Sequence, residues 1–344
     1  MKIFDKIQSG VYIIAEMSAN HAGKLDNALK IIHAAKESGA DCLKVQTYTA
    51  DSITIDCDNK YFKIKGGLWD GYNLYQLYKE AAMPYEWHAE IKAECEKIGI
   101  DFLSTAFDEI GVEFLEELNV QAYKIASFEL VHIPLIRHIA KKGKPIIISC
   151  GMGSEEEIRD AVKAMTDEGL NKEQIILMKC SSEYPAIYEN MNLLNIPDMK
   201  NKFGCRVGFS DHSLGSVGAV SAVALGACIV EKHFCLNRKI KNPDSEFSSE
   251  PHEFAEMVLA VNNAFKARGN VTYEPSENEK ASTVFRRSLF AIKDISKGDV
   301  YNHDNVKCIR PGYGIKPKFL DDVLGKIAKT DIKKGTPLNE ILIK

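Results

Sequence analysis

VYIIAE, residues 11–16, is the first of eight short apolar runs that each end in residues able to do chemistry. DCLKVQ (41–46), IDFLST (100–105), AYKIAS (122–127) and PIIIS (145–149) follow. IILMKCSS (175–182), CRVGFSDH (205–212) and ACIVEKH (227–233) complete the series. Apolar runs of this length, bounded by turn signals and separated by helical patterns, read as buried parallel strands joined by crossover helices. The intervening segments have sensible helix ends. Residues 24–38 place Leu25, Leu29, Ile32 and Ala35 on one stripe ahead of Gly39, while Pro84 opens and Gly99 closes residues 85–98. Ser154 and Glu157 form a capping box before residues 155–168, and a long helix is expected over about 251–268. Eight such repeats predict an α/β fold, a closed (β/α)8 TIM barrel whose active site lies at the C-terminal strand ends. Lysines and carboxylates are costly to bury unpartnered, so eight polar ends at one rim read as a built site.

The 344 residues accommodate one barrel of about 250 residues plus a small appendage. The expected division is a barrel over 1–268, a polar linker over 269–284 and a small β-rich module over 285–344. That module holds 13 Lys/Arg against 7 Asp/Glu, a net charge of +6, which leaves −10 on the rest of a chain whose total is −4. It also repeats itself weakly, AIKDISKGDVYNHDNV (291–306) resembling AKTDIKKGTPLNEILI (328–343). The overall balance, 45% hydrophobic and 27% charged, gives no reason to invoke a nucleic acid or a membrane surface as partner. No apolar stretch approaches the ~20 residues of a membrane span, and MKIFDKIQSG lacks a signal-peptide core. Nine scattered cysteines without a C-x-x-C suit a reduced, cytoplasmic protein.

His212 and His233 end neighbouring strands, which brings two imidazoles within reach of one divalent ion, with Asp211 placed to orient one of them. Lys44, Lys124, Ser127, Ser149, Ser182 and Ser210 form a ring of cations and hydroxyls suited to a phosphate or carboxylate. The alternatives are strand-end capping for each serine and Schiff-base chemistry for the lysines. Glu16 is an acid/base or a hydrogen-bonding orienter, with a structural salt bridge as the alternative. The long segment 47–80 between the second and third strands offers Trp69, Tyr72 and Tyr75 as aromatic surface at the rim.

IAEMSANHAG, LKVQTYT, FLSTAF, AYKIASFE, IISCGM, KCSSEYP, VGFSDHS and EKHF together resemble the sialic acid synthases, in order and over nearly the whole barrel. The tail, with IRPGYGIKP, resembles that family's antifreeze-like (SAF) domain. QTYTADSITID and FKIKGGLWDG are similar to the pseudaminic acid synthase branch; Val45 stands where the N-acetylneuraminate branch usually has histidine after the strand-two lysine. The resemblance implies a transferase that condenses phosphoenolpyruvate with 2,4-diacetamido-2,4,6-trideoxy-L-altrose and water, giving pseudaminic acid and phosphate by C–O cleavage. N-acetylneuraminate or legionaminate synthesis is the same-class alternative, and a carbohydrate-binding protein the non-enzymatic one. It further implies a divalent metal on His212 and His233, typically Mn2+ with Mg2+ or Co2+ as alternatives, and a domain-swapped homodimer. Phosphoenolpyruvate contacts would fall to Lys44, Thr105, Lys124, Ser127, Ser149, Ser182 and Ser210. Gln46, Glu129, Tyr184, Asp244 and Arg310 would lie near the sugar, and Glu16 at the reacting centre. Ser182 departs from the asparagine common in the neuraminate branch.

Overall fold

A computed structural model describes residues 3–344. Eight parallel strands close into a barrel in sequence order: β1 (Tyr12–Glu16), β2 (Cys42–Thr47), β3 (Asp101–Ala106) and β4 (Tyr123–Ile125), then β5 (Ile146–Ser149), β6 (Ile175–Cys180), β7 (Arg206–Asp211) and β8 (Ile229–His233). The expected helices form outside it, over Leu25–Glu37, His88–Ile98, Glu155–Asp167 and Pro251–Arg268. Ser154 and Glu157 make their reciprocal capping bonds at the start of the third of these.

Strand side chains alternate between two environments. Outward residues such as Ile13, Leu43, Val45 and Val230 pack under the helices. Inward residues at the lower level, among them Tyr12, Ile14, Leu103, Ile147, Met178 and Ile229, fill the barrel, and Ile3 of the helix Ile3–Ser9 packs against them from below. One inward step higher the chemistry reverses: Ile14 gives way to Glu16, Cys42 to Lys44, Leu103 to Thr105, Ala122 to Lys124, Ile147 to Ser149 and Ile229 to Glu231. The period of two thus places a polar ring directly on an apolar floor.

The floor is tightly filled around Gly208. A Cβ at Gly208 would come within 2.4 Å of Met178 Sδ, 2.9 Å of Ile229 Cβ and 3.1 Å of the Ile229 carbonyl. Gly208→Ala is therefore expected to destabilise the barrel by about 1–3 kcal/mol, the range for overpacking a filled core. Denaturant unfolding measures this, and an unchanged midpoint would show that Met178 repacks freely.

Between β2 and β3 the chain forms a short helix, Ala50–Ile53, an antiparallel hairpin over residues 62–73 and the helix Leu74–Ala81. Among the described residues no helix is long and apolar enough to cross a membrane.

The chain divides into two compact units, meeting between Gly269 and Asn270. The segment 269–284 expected to be a plain linker holds a helix, Glu277–Ser282, because Ser276 and Glu279 form a capping box there. In the second unit β9 (Ser288–Ala291) pairs antiparallel with β10 (Val306–Ile309). The two sequence repeats pair with each other, and their contacts occur twice with partners exchanged. Ile295 N–H donates to the Ile332 carbonyl at 2.9 Å and Ile332 N–H to that of Ile295 at 2.8 Å. Lys297 N–H donates to Asp331 Oδ1 at 2.7 Å, and Lys334 N–H to Asp294 Oδ1 at 2.8 Å. Gly298 N–H donates to the Ala328 carbonyl, and Gly335 N–H to that of Ala291. The weak repeat is thus an internal pseudo-dyad around the core of Leu289, Ile295, Tyr301, Ile332 and Leu338.

Candidate active site

The mouth of the barrel opens into a cavity of about 380 Å3. At its base lie two buried lysines and two buried carboxylates. Lys44 Nζ stands 2.7 Å from Glu16 Oε2 and 3.4 Å from Glu231 Oε1, and donates to Thr105 Oγ1 at 3.2 Å. Lys124 Nζ donates to Ser149 Oγ at 2.7 Å and lies 3.9 Å from Glu231 Oε1. Ser210 Oγ donates to the same Glu231 oxygen at 3.3 Å. Strand register explains the meeting: Glu16 is level with Lys44 and with His233, Thr105 with Lys124, and Ser210 with Glu231.

Burial disfavours charge on all four groups, and their neighbours decide the outcome. Burial, opposed by Lys44 and reinforced by Glu231, pushes the Glu16 carboxyl up. Burial would lift Glu231 as well, but Lys124, Lys44 and His212 outweigh it and hold that carboxyl below its ordinary range. Burial would lower Lys44, yet Glu16 and Glu231 keep it above its usual value, whereas burial prevails at Lys124 and lowers it.

His212 and His233 meet at the upper level with ring centroids 5.6 Å apart. The Ser181 carbonyl sits 2.8 Å from His212 Nδ1, which assigns the proton there and leaves Nε2 as an acceptor beside Ser210. Burial depresses both imidazoles and keeps them neutral. Tyr184 stacks on His212 at 4.3 Å, and Phe247 packs edge-on against His233 at 4.9 Å. Gln46 donates to Glu16 Oε1 at 2.9 Å, and Asp244 Oδ2 accepts the Ala19 N–H at 3.1 Å. Burial pushes the Glu129 carboxyl up to about 7.

Several buried polar atoms have no hydrogen-bond partner among the described residues: Glu129 Oε2, Ser182 Oγ, Glu231 Oε2 and His233 Nδ1. An orphaned buried group costs about 1–3 kcal/mol, so a cluster of them at one mouth marks atoms that a ligand satisfies. Beside them, a Cβ at Gly151 would fall 2.3 Å from Ser182 Oγ and 2.8 Å from both Ser127 Oγ and Cys180 Sγ. Only glycine lets these groups converge.

Of the residues singled out in the sequence, Glu16, Lys44, Gln46, Thr105, Lys124, Ser127, Glu129, Ser149, Tyr184, Ser210, His212, His233 and Asp244 line the cavity. Ser182 lies off its wall, beside Gly151, and Arg310 is exposed at the end of β10 in the second unit. Two expectations are corrected. Asp211 does not orient an imidazole: it and Lys232 alternate outward from β7 and β8 and pair with each other at 2.8 Å beneath the helices. Tyr72 and Tyr75 do not face the cavity either. Their hydroxyls go to Glu80 and Asp51 on the outside, and only Trp69 of the three lines it, beside Ile64, Leu74, Leu77 and Tyr78. Glu231, the shared counter-ion, is a site residue that the motifs do not single out, although counting inward positions back by two from His233 reaches it.

Two lysines and two carboxylates sunk among hydroxyls at the C-terminal mouth of a parallel barrel define the class, a barrel enzyme. The NeuB family model matches residues 31–273, and a SAF domain model matches residues 286–340. The chain belongs to the NeuB family. It is 47% identical over 330 residues to the pseudaminic acid synthase of Campylobacter jejuni strain 81-176, covering 96% of each chain. It is 42% identical to that of Helicobacter pylori, covering 95% of this chain and 96% of the relative. The crystal structure of an N-acetylneuraminic acid synthetase from Leptospira borgpetersenii matches with a TM-score of 0.71 and 32% identity, covering 80% of this chain and 90% of that one.

Proposed function

We propose that this chain is a pseudaminic acid synthase, joining phosphoenolpyruvate to 2,4-diacetamido-2,4,6-trideoxy-L-altrose with water and releasing phosphate. The observation that carries the reading is the buried pair Lys44 and Lys124, with their hydroxyl partners, directly beneath the two imidazoles. C3 of phosphoenolpyruvate attacks the aldehyde carbon, water adds at C2, and the tetrahedral adduct expels phosphate by breaking the C2–O bond. Lys44, Lys124, Thr105, Ser127, Ser149 and Ser210 hold the oxyanion throughout, stabilising charge where it develops. Phosphoenolpyruvate labelled in its bridging oxygen should deliver that label to phosphate; label retained in the sugar acid would overturn the route. Phosphate release also separates an enzyme from a carbohydrate-binding protein. A higher specificity constant for N-acetylmannosamine or a legionaminate precursor would move the assignment within the family.

A divalent metal fits on His212 and His233: burial favours the uncharged form of both imidazoles, the His212 tautomer is fixed, and buried His233 Nδ1 has no partner among the described residues. Among the described residues no group of three or more His, Cys, Asp or Glu gathers to hold one, so two protein ligands leave the rest of the coordination sphere open. When bound, Mn2+, or Mg2+ or Co2+ in its place, supplies Lewis-acid polarisation of the sugar aldehyde.

Glu16 stands at the junction of lysine, glutamine and cavity, where a carboxylate orients or deprotonates the attacking water. Glu16→Gln keeps the shape and removes the charge, so turnover should fall about 10²–10⁴-fold with little change in KM. Near-normal turnover would leave Glu16 a structural role.

Arg310 completes the sugar site from the second unit, exchanged across a two-fold homodimer in the cytoplasm. The module's +6 against −10 elsewhere favours docking. Mixing Arg310→Ala with His233→Ala chains should restore partial activity in mixed dimers. Failure to complement, once subunit exchange is verified, would place Arg310 over its own barrel.

A further inference from the structure

The cavity is chemically divided. Its charged base comes from the strand ends, whereas much of its apolar side comes from the insertion between β2 and β3, through Ile64, Trp69, Leu74, Leu77 and Tyr78. The hairpin of residues 62–73 is a constructed element. Ile64 N–H donates to the Tyr72 carbonyl at 2.9 Å and Leu74 N–H to that of Phe62 at 2.8 Å. Its turn needs Gly66 and Gly67 at φ +78° and +74°, and Asp70 Oδ1 accepts the Gly66 N–H at 2.6 Å. Asn73 ties its base to the Cys57 carbonyl at 2.6 Å.

The tip is fixed by the segment that follows β8. Trp69 Nε1–H donates to the Pro243 carbonyl at 3.0 Å, and the indole lies 5.7 Å from the Tyr184 ring. Pro243 precedes Asp244, which lines the cavity and is itself tied to the Ala19 N–H. One hydrogen bond, between residues 174 positions apart, thus sets how far the apolar side leans over the polar base.

We propose that this hairpin and the helix after it form the specificity wall for a substrate bearing several methyl groups, and that the Trp69–Pro243 bond positions that wall. The inference rests on the synthase reading above. Ile64, Leu74 and Leu77 offer carbon surface and no polar group, which suits a second N-acetyl methyl and a 6-deoxy carbon but gives nothing to a hydroxymethyl group. Missing carbons in an apolar pocket cost about 10–200-fold each in specificity. Trp69 is a positioning residue as well as part of the wall.

Trp69→Phe keeps an aromatic ring but removes the pyrrole with its N–H; Ile64→Ser removes wall surface on a half-buried hairpin residue. Each purified variant is assayed with the diacetamido trideoxy sugar and with N-acetylmannosamine, the latter as substrate or, where turnover is slow, as competitive inhibitor. Both variants should lose about 10-fold or more in kcat/KM for the diacetamido sugar, through KM rather than kcat. KM for phosphoenolpyruvate, the N-acetylmannosamine constant and the thermal midpoint should stay within about twofold or a few degrees. Equal losses for both sugars, a loss confined to kcat, or no loss would overturn the wall. If the parent enzyme releases no phosphate with the diacetamido sugar, the synthase reading itself fails and takes the wall with it.

Discussion

Lys124→Met should lose about 10²–10³-fold or more in turnover, the loss found when one preorganised charge-stabilising donor is removed. It should also be less stable. Lys124 and Glu231 are both buried, and removing one partner of a buried ion pair costs about 3–5 kcal/mol. The low end applies because Lys44 remains 3.4 Å from Glu231 Oε1. The second effect can be reversed separately from the first. Adding Glu231→Gln to Lys124→Met removes the uncompensated charge, so the double variant should regain much of the stability and none of the activity. Denaturant unfolding and phosphate release measure the two properties. Turnover within tenfold of the parent for Lys124→Met would refute the oxyanion role.

His233→Ala should abolish both measurable turnover and tight metal binding. Polarisation of a carbonyl by a metal is worth several kcal/mol, and each 1.36 kcal/mol is tenfold in rate, so a loss beyond about 10³-fold is expected. His212→Ala should behave alike, with metal affinity read directly by calorimetry rather than through activity alone. Chelator-treated parent enzyme should be inactive and recover with Mn2+. Full activity after chelation would remove the metal from the mechanism.

Much of this architecture was legible because a strand's period is short and its ends are abrupt. Each run from VYIIAE to ACIVEKH passes from apolar to polar at the height where the barrel opens, so the rim could be read before any contact was known. Phase was harder. Glu231, Lys232 and His233 are consecutive, as are Ser210, Asp211 and His212, and pattern alone does not say whether the middle residue or the flanking pair faces inward. The fold resolves it: the middle residues pair with each other outside the barrel, and the flanking ones enter the site. The insertion was least legible, because its shape follows from glycines at positive φ and a bond to a residue 174 positions away. Trp69 was therefore identified, while Tyr72 and Tyr75 were assigned to the wrong side. The tail's repeat was visible, but its reciprocal pairing was not, since self-similarity carries no information about which copy meets which.

The apolar floor of the barrel makes the site a blind alley. Tyr12, Ile14, Met178 and Ile229 close the lower end, and the helix Ile3–Ser9 packs against it from below, so all traffic uses a single doorway. The lysine pair sits one inward step above that floor, and the hairpin leans over the upper level. Whatever binds the lysines must enter first, and a sugar arriving later stands between it and the solvent. If the lysines hold phosphate as proposed, departure runs in the opposite order, the sugar acid clearing the doorway before phosphate follows. A site of this shape would then impose a queue, set by the barrel's closed end.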